Sequence, residues 1–238
     1  MFAIENTTKF LHGTISGVIT IFNHDPATDN VSVVSQTTIT PPDGTAFDVD
    51  SGRKLPIHNQ FVFCGIYSKN LLRFEYNSLD KTFIELPLPI RWVGASFDTA
   101  MVISQDRLHL YKVDLGTNTY VKEITGVFGS GSVGSDVEHY GIDKQTNLYL
   151  IRLSSNYCLS FDSVSDKFLK KLYVPTTFAG RVSYIKGTSW FLIGGDKGGI
   201  LLEFSTGHYV ERNVNYYALS LSSFEFESKF YVGLGTNF

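Results

Sequence analysis

The sequence predicts an all-β chain that is built from one repeated unit of four strands. The first observation is a hairpin pattern that recurs five times along the 238 residues. The second is the composition, with 19 Phe and 13 Tyr but only 2 Met, because aromatic residues favour pleated sheets. The third is that no apolar stripe of helical period continues for about three turns.

Each predicted hairpin has an alternating apolar strand, a polar turn and a second strand. The five hairpins lie near residues 18–34, 71–88, 108–124, 157–173 and 200–214. A polar residue that can hydrogen-bond its own backbone marks the end of each first strand, namely Asn23, Asn77, Asp114, Asp162 and Ser205. These residues recur at intervals of 54, 37, 48 and 43 positions, which fit a propeller blade of about 40–50 residues.

A pair of short strands precedes each hairpin, as at residues 92–97 with 100–104 and at 182–185 with 189–194. Four strands per repeat, joined by polar turns, predict a β-propeller of five four-stranded blades. We expect one domain over residues 1–238. A β-sandwich is the rival architecture, but a sandwich predicts no equivalence among the five hairpins.

One of the predicted blades contains a strand that ends in two glycines, from Trp190 to Gly195. This strand resembles the glycine-pair strand of Kelch repeats. The resemblance covers a single blade, and the Trp-Asp signature of WD repeats does not occur in the chain. The sequence is therefore similar to the β-propeller class with Kelch-like or WD-like blades, and the resemblance implies no activity.

The two ends of the chain resemble each other, since residues 224–233 repeat the pattern of residues 2–13 with two positions fewer. This predicts a surplus inner strand pair over 224–234. A propeller must hide its open strand edges. The surplus pair therefore either closes the ring against the N-terminal strands or begins a partial sixth blade that a partner completes.

The charge balance argues against a broad nucleic-acid interface. The chain carries 20 basic and 23 acidic residues, a formal net charge of -3, whereas nucleic-acid binding needs a dense cationic face. No apolar run approaches the ~18 residues of a membrane span, and Glu5 comes too early for a signal peptide. We expect a cytoplasmic or virion-associated protein without membrane or nucleic-acid partners.

Several short motifs resemble known sites but lack their context. Gly129, Gly131 and Gly134 fit a dinucleotide-binding pattern, yet a strand follows them instead of a helix, which predicts an inter-blade loop. Asp48 and Asp50 resemble the start of a calcium loop without its closing ligands, which predicts a solvated turn. The six histidines lack zinc-site spacing. The sequence thus predicts no metal, no cofactor and no catalytic residue, with Cys64 and Cys158 as buried thiols.

Three arginines carry a sharper hypothesis. Arg53, Arg91 and Arg181 each stand at the start of a predicted inner strand, and such positions converge at one end of a propeller channel. Guanidinium groups placed there bind anions bidentately. Because Asp136 and the nearby Glu138 interrupt the pattern, internal salt bridges are one alternative, and unrelated surface positions are another.

The sequence therefore predicts a non-catalytic binding or assembly module. Connections at residues 40–54 and 125–137 would form one face for protein partners, and the terminal strand seam is a second contact. Trp92 would be an aromatic anchor near that face, or a core residue. A structural role in a virion or phage tail fits this interpretation. The alternatives are a carbohydrate-binding or carbohydrate-active propeller, a metal-dependent lactonase-like enzyme, and an anionic or glycan ligand.

Overall fold

The computed structural model describes residues 2–4, 7–55, 59–128, 133–141, 147–174, 181–185, 187–195, 198–213, 218–226 and 229–236, and from residue 211 onward only their backbone. All regular structure in these residues is β-strand. No helix with the length and hydropathy that a bilayer crossing requires occurs among them.

Five sheets have four antiparallel strands each. The first contains β1 (Phe2–Ala3), β2 (Lys9–Gly13), β3 (Val18–Asp25) and β4 (Asn30–Thr38). The second contains β5 (Val49–Lys54), β6 (Gln60–Gly65), β7 (Asn70–Glu75) and β8 (Lys81–Glu85). The third contains β9 (Ile90–Ala95), β10 (Thr99–Ser104), β11 (Leu110–Asp114) and β12 (Thr119–Glu123).

The fourth sheet contains β13 (Gly134–His139), β14 (Leu148–Leu153), β15 (Tyr157–Asp162) and β16 (Lys167–Tyr173). The fifth contains β17 (Val182–Tyr184), β18 (Trp190–Gly195), β19 (Gly198–Glu203) and β20 (Tyr209–Asn213). The last two strands, β21 (Ala218–Phe226) and β22 (Lys229–Thr236), form a two-stranded sheet. In every sheet the strands are hydrogen-bonded in sequence order, as in the blades that the sequence predicts.

The chain divides into two compact units. The first comprises Met1–Gln105 with Val113–Lys122, and the second comprises Asp106–Lys112 with Glu123–Phe238. Within the first unit β5 packs beside β9, and within the second β13 packs beside β17 and β17 beside β21. The first strands of successive sheets are thus neighbours, as inner strands of adjacent blades are.

Each unit has its own apolar core between its sheets. In the first unit, residues such as Ile19, Phe61 and Phe74 are fully buried together. In the second unit, Leu150, Phe191 and Leu202 are buried together. Both cysteines are buried and neither forms a disulfide. Burial raises the pKa of Cys158 to about 11.

The outer hairpins share a turn that is built around a carboxylate. The third strand of each sheet ends in an acidic residue, and the residue four positions later has a positive φ of 54° to 79°; the pairs are Asp25 and Asp29, Glu75 and Leu79, Asp114 and Asn118, Asp162 and Asp166, and Glu203 and Gly207. Three of the predicted turn residues were therefore misplaced by two positions. Asn23 lies inside β3, whereas Asn77 and Ser205 lie in the turns themselves.

A cation from one sheet reaches the hairpin of the next in three places. Arg73 donates from Nη1 to the Leu115 carbonyl at 2.6 Å, within the first unit. Lys112 donates to Asp166 Oδ1 at 2.9 Å, within the second unit. Lys170 follows the same pattern at the fifth sheet, where it donates to the Phe204 carbonyl. Such charge-assisted bonds fix the spacing of neighbouring sheets.

Candidate functional site

The residues predicted as binding groups belong to both units, with Arg53, Arg91 and Trp92 in the first unit and Arg181 in the second. Arg53 is in β5, where its Nη1 donates to the carbonyl of Gly52 at 2.9 Å. The Arg91 guanidinium lies 4.7 Å from the ring centre of Trp92. That indole is only 6% exposed, which favours the core interpretation of Trp92. The anion-binding role of these arginines stays a prediction.

Arg181 lies beside a buried carboxylate in the second unit. Its Nη1 is 3.8 Å from Oδ1 of Asp136, and the Asp136 side chain has no exposed surface. This geometry supports the alternative of internal pairing for Arg181. Burial of a carboxylate is costly unless such partners compensate it.

The acidic stretch before Gly52 is part of a strand and not the predicted solvated turn. Val49–Lys54 forms β5, so Asp50 lies within it, while Asp48 directly precedes it. A Cβ on Gly52 would lie 2.6 Å from the Phe63 ring. The glycine is therefore required for close packing, which a calcium-loop pattern does not explain. Gly129 and Gly131 lie outside the described residues.

A concave site of about 220 Å³ lies in the second unit and is here called the Tyr140 pocket. It lies between the fourth and fifth sheets. Its lining residues are Tyr140, Gly141, Leu148, Tyr184, Thr188, Ser189, Phe191, Phe204 and Ser205. Tyr140 and Gly141 follow β13, Leu148 begins β14, and Tyr184 ends β17. The others lie at or just before the start of β18, or just after β19. The pocket therefore lies at the opposite end of β13 from the 125–137 connection.

Four aromatic rings form the walls of the Tyr140 pocket. The Tyr140 ring centre is 5.1 Å from that of Phe191 at an interplanar angle of 85°, and 5.5 Å from that of Phe204. Tyr184 lies 5.3 Å from Phe191. The Tyr140–Phe191 pair is in favourable edge contact, while the other two pairs are tilted at 49° and 40°. The walls are thus held by their own packing, with buried Phe191 joined to the core.

Both tyrosine hydroxyls are engaged within the protein. Tyr140 Oη and Ser160 Oγ are 2.5 Å apart, and Tyr184 Oη donates to the carbonyl of Thr188 at 2.8 Å. Burial raises the pKa of Tyr140, while the Ser160 hydrogen bond opposes that rise. With both phenol oxygens satisfied, the rings present mainly carbon to the pocket.

One carboxylate and one ammonium group lie at the rim. Ser189 and Ser205 both donate to Oε1 of Glu203, the former at 2.8 Å. Hydrogen bonds from Ser205, Thr206 and Ser189 lower the pKa of Glu203 to about 2. Lys170 Nζ lies 5.4 Å from the Phe204 ring centre and donates to the Ser205 carbonyl at 3.0 Å.

Sequence reasoning missed this pocket. Its residues come from five separate stretches of two sheets, and none belongs to a recognisable motif. Tyr184 and Phe191 each stand in a strand whose alternating apolar pattern is that of an ordinary core strand. A group of three metal-ligating side chains is not found in the described part of the chain.

Comparisons with known proteins support the fold and nothing narrower. No family model matches the chain, and no curated protein matches its sequence. Among solved structures it is similar to dihydro-heme d1 dehydrogenase NirN in complex with DHE, with a TM-score of 0.67, 12% identity, and coverage of 96% of this chain and 49% of that one. It is also similar to Kuenenia stuttgartiensis hydrazine synthase, with a TM-score of 0.58, 10% identity, and coverage of 78% and 53%.

These likenesses, together with the five four-stranded sheets, show that the fold is a β-propeller, so the predicted fold class is confirmed. The chain spans about half the length of the solved structures that it matches. Identities of 10–12% carry no function from those proteins to this chain, since one fold hosts many unrelated activities.

Proposed function

We propose that this chain is a non-catalytic binding module that holds an apolar side chain of a protein partner in the Tyr140 pocket. The observation that carries the proposal is the cavity of about 220 Å³ with its four aromatic walls. Buried apolar anchors in such pockets supply most of the energy of many protein interfaces. The loop face and terminal seam predicted from the sequence are further proposed contacts.

The size of the cavity favours a single side chain over a whole small molecule. Pockets that enclose drug-sized ligands measure ~300–1,000 Å³, so a cavity of about 220 Å³ is smaller than these. The volume of one Phe, Leu or Met side chain is small enough for this cavity. Full burial of such a side chain is worth about 1.5–3 kcal/mol.

The chemistry of the walls favours an apolar group over a sugar. A buried hydroxyl without a partner costs about 1–3 kcal/mol, and the hydroxyls of Tyr140 and Tyr184 are already bonded elsewhere. A glycan would therefore have to bond through the rim, at Ser189 or Ser205. The carbohydrate alternative remains a prediction that the same experiment tests.

Selection from a displayed peptide library tests the proposal, because a library samples many candidate partner sequences at once. The bait is the whole chain, and the comparison is Leu148→Trp, which fills the pocket from the first residue of β14. Leu108→Trp is the matched control, since Leu108 is 54% exposed and does not line the pocket. A glycan array is probed with the same three proteins.

We expect peptides that share one apolar position and bind the original chain and the Leu108→Trp variant but not Leu148→Trp. A loss of about tenfold or more in affinity corresponds to one buried anchor. If no selected peptide depends on residue 148, the proposal is wrong. If only glycans show that dependence, the pocket is a carbohydrate site instead.

A further inference from the structure

We infer that the partner segment carries acidic residues beside its apolar anchor, because a basic strand borders the Tyr140 pocket. This inference rests on the proposed function and names the chemistry of its partner. The strand is β16, Lys167–Tyr173, whose sequence is KFLKKLY. It contains three lysines and no acidic residue within a chain whose formal net charge is -3.

The position of β16 links this charge to the pocket. Lys170 donates from Nζ to the carbonyls of Phe204 and Ser205, both at 3.0 Å, and these two residues line the pocket. The strand is the last in its sheet, so one of its edges has no neighbour in that sheet. An acidic segment with its anchor in the pocket can therefore reach the lysines of β16.

The lysines of β16 form no ion pair with a described carboxylate, although Asp162 of β15 is the ladder partner of Lys167. Lys170 bonds carbonyls, and Lys171 Nζ lies 4.2 Å from the Tyr157 ring centre. Neither they nor Lys167 lie within ion-pair distance of a described carboxylate. The outer strands β8 and β12, by contrast, carry both signs of charge, with Lys81 and Glu85 in β8, and Lys122 and Glu123 in β12.

Apolar side chains between the lysines extend the surface. Phe168 is 41% exposed, Leu169 56% and Tyr173 54%. The ammonium groups attract acidic residues of a partner to this surface. The partner can at the same time cover the exposed apolar side chains of β16. Glu203 accepts a hydrogen bond from the rim residue Ser205, and its carboxylate repels acids close to it. The acidic residues of the partner are thus expected on the β16 side of the anchor.

The inference is tested on the pocket-dependent peptides that the library selection yields. The first readout is sequence: acidic residues should be enriched next to the apolar position relative to the starting library. The second is affinity by fluorescence anisotropy for one such peptide and its analogue with Gln in place of each Glu or Asp. We expect the acidic peptide to bind about three- to tenfold more tightly near 0.01 M salt and the difference to shrink near 0.15 M.

The protein variant Lys167→Gln/Lys171→Gln removes two charges and leaves Lys170 and its carbonyl bonds in place. It should weaken the preference for the acidic peptide without abolishing it, because the Lys170 charge beside the pocket remains. Lys9→Gln/Lys122→Gln, which removes the same charge from the first unit, should preserve the full preference. If pocket-dependent peptides bind equally well with and without acidic residues at low salt, this inference is wrong while the proposed function stands. If no peptide depends on the pocket, the proposed function itself fails.

Discussion

Oδ2 of Asp136 accepts a hydrogen bond from the backbone N–H of Val182 at 2.8 Å, and thereby joins the first strand of the fourth sheet to the first strand of the fifth. Asp136 is fully buried, and its partner across the β13–β14 ladder is the equally buried Arg152. Arg181 approaches from the other side. This charged cluster connects the two sheets between which the Tyr140 pocket is formed.

Asp136→Ala should lower the free energy of unfolding by about 3 kcal/mol or more. The substitution leaves the Arg152 charge buried without its opposing carboxylate, and it removes the acceptor for the Val182 N–H. Urea unfolding measures the effect. Asp136→Asn, which retains an acceptor, should lose less, and Asp80→Ala at an exposed position should change little. Equal stability of Asp136→Ala and the original chain would contradict the role of this residue.

Leu79→Asn should stabilise the chain by roughly 0.5–1 kcal/mol. Leu79 has a φ of 61° in the β7–β8 turn, and its counterparts in the other four turns are Asp29, Asn118, Asp166 and Gly207. Left-handed backbone costs an ordinary L-residue about 1–2 kcal/mol, but Asn and Gly tolerate it. The denaturation midpoint should rise, and Leu79→Val, with its branched Cβ, should lower it. A lower midpoint for Leu79→Asn would show that the Leu side chain makes a compensating contact.

Lys112→Met should lower the free energy of unfolding by about 1–2 kcal/mol, because it removes the hydrogen bonds to the Ser163 carbonyl and to Asp166 Oδ1. The Lys112 side chain is only 17% exposed, so solvent screens this pair weakly. Lys122→Met on the exposed strand β12 is the control. Equal unfolding curves for Lys112→Met and that control would show that the Lys112 bonds to the β15–β16 turn do not hold the sheets together.

Glu203 should make the chain less stable as the pH falls. Its pKa is lowered from 4.5 to about 2 in the folded chain by hydrogen bonds from Ser205, Thr206 and Ser189. A lowered pKa contributes stability above the unfolded value, and this contribution is lost as pH falls from about 4.5 towards 2. Thermal unfolding of the original chain and of Glu203→Gln should therefore differ most above that window. A difference that stays constant down to about pH 2 would contradict the shift.

The fold was predictable because strand alternation and turn chemistry act over short stretches. The residue that begins each turn was harder to place, since both Asn23 and Asp25, or both Glu75 and Asn77, are polar and only two positions apart. Only the backbone shows that the positive φ follows the acidic residue by four positions. The bonds of the carboxylate to the turn were therefore not apparent from composition.

The Tyr140 pocket was not predictable, because it depends on how two sheets pack. Phe191 and Phe204 have the spacing of ordinary core residues, and nothing local distinguishes a buried ring from one that faces a cavity. Gly52 is a second residue whose role depends on packing and not on the local sequence. Its place after two carboxylates predicted a solvated turn, whereas Gly52 lies in β5 and is explained by the close approach of Phe63.

A crystal structure of the chain with the tightest peptide from the selection tests the central claim most directly. We predict one apolar side chain of the peptide between Tyr184 and Phe204, in contact with the buried face of Phe191, and its acidic residues towards Lys170. A peptide bound at any other surface, with the cavity between the fourth and fifth sheets left as it is, would contradict the claim that the Tyr140 pocket is the binding site.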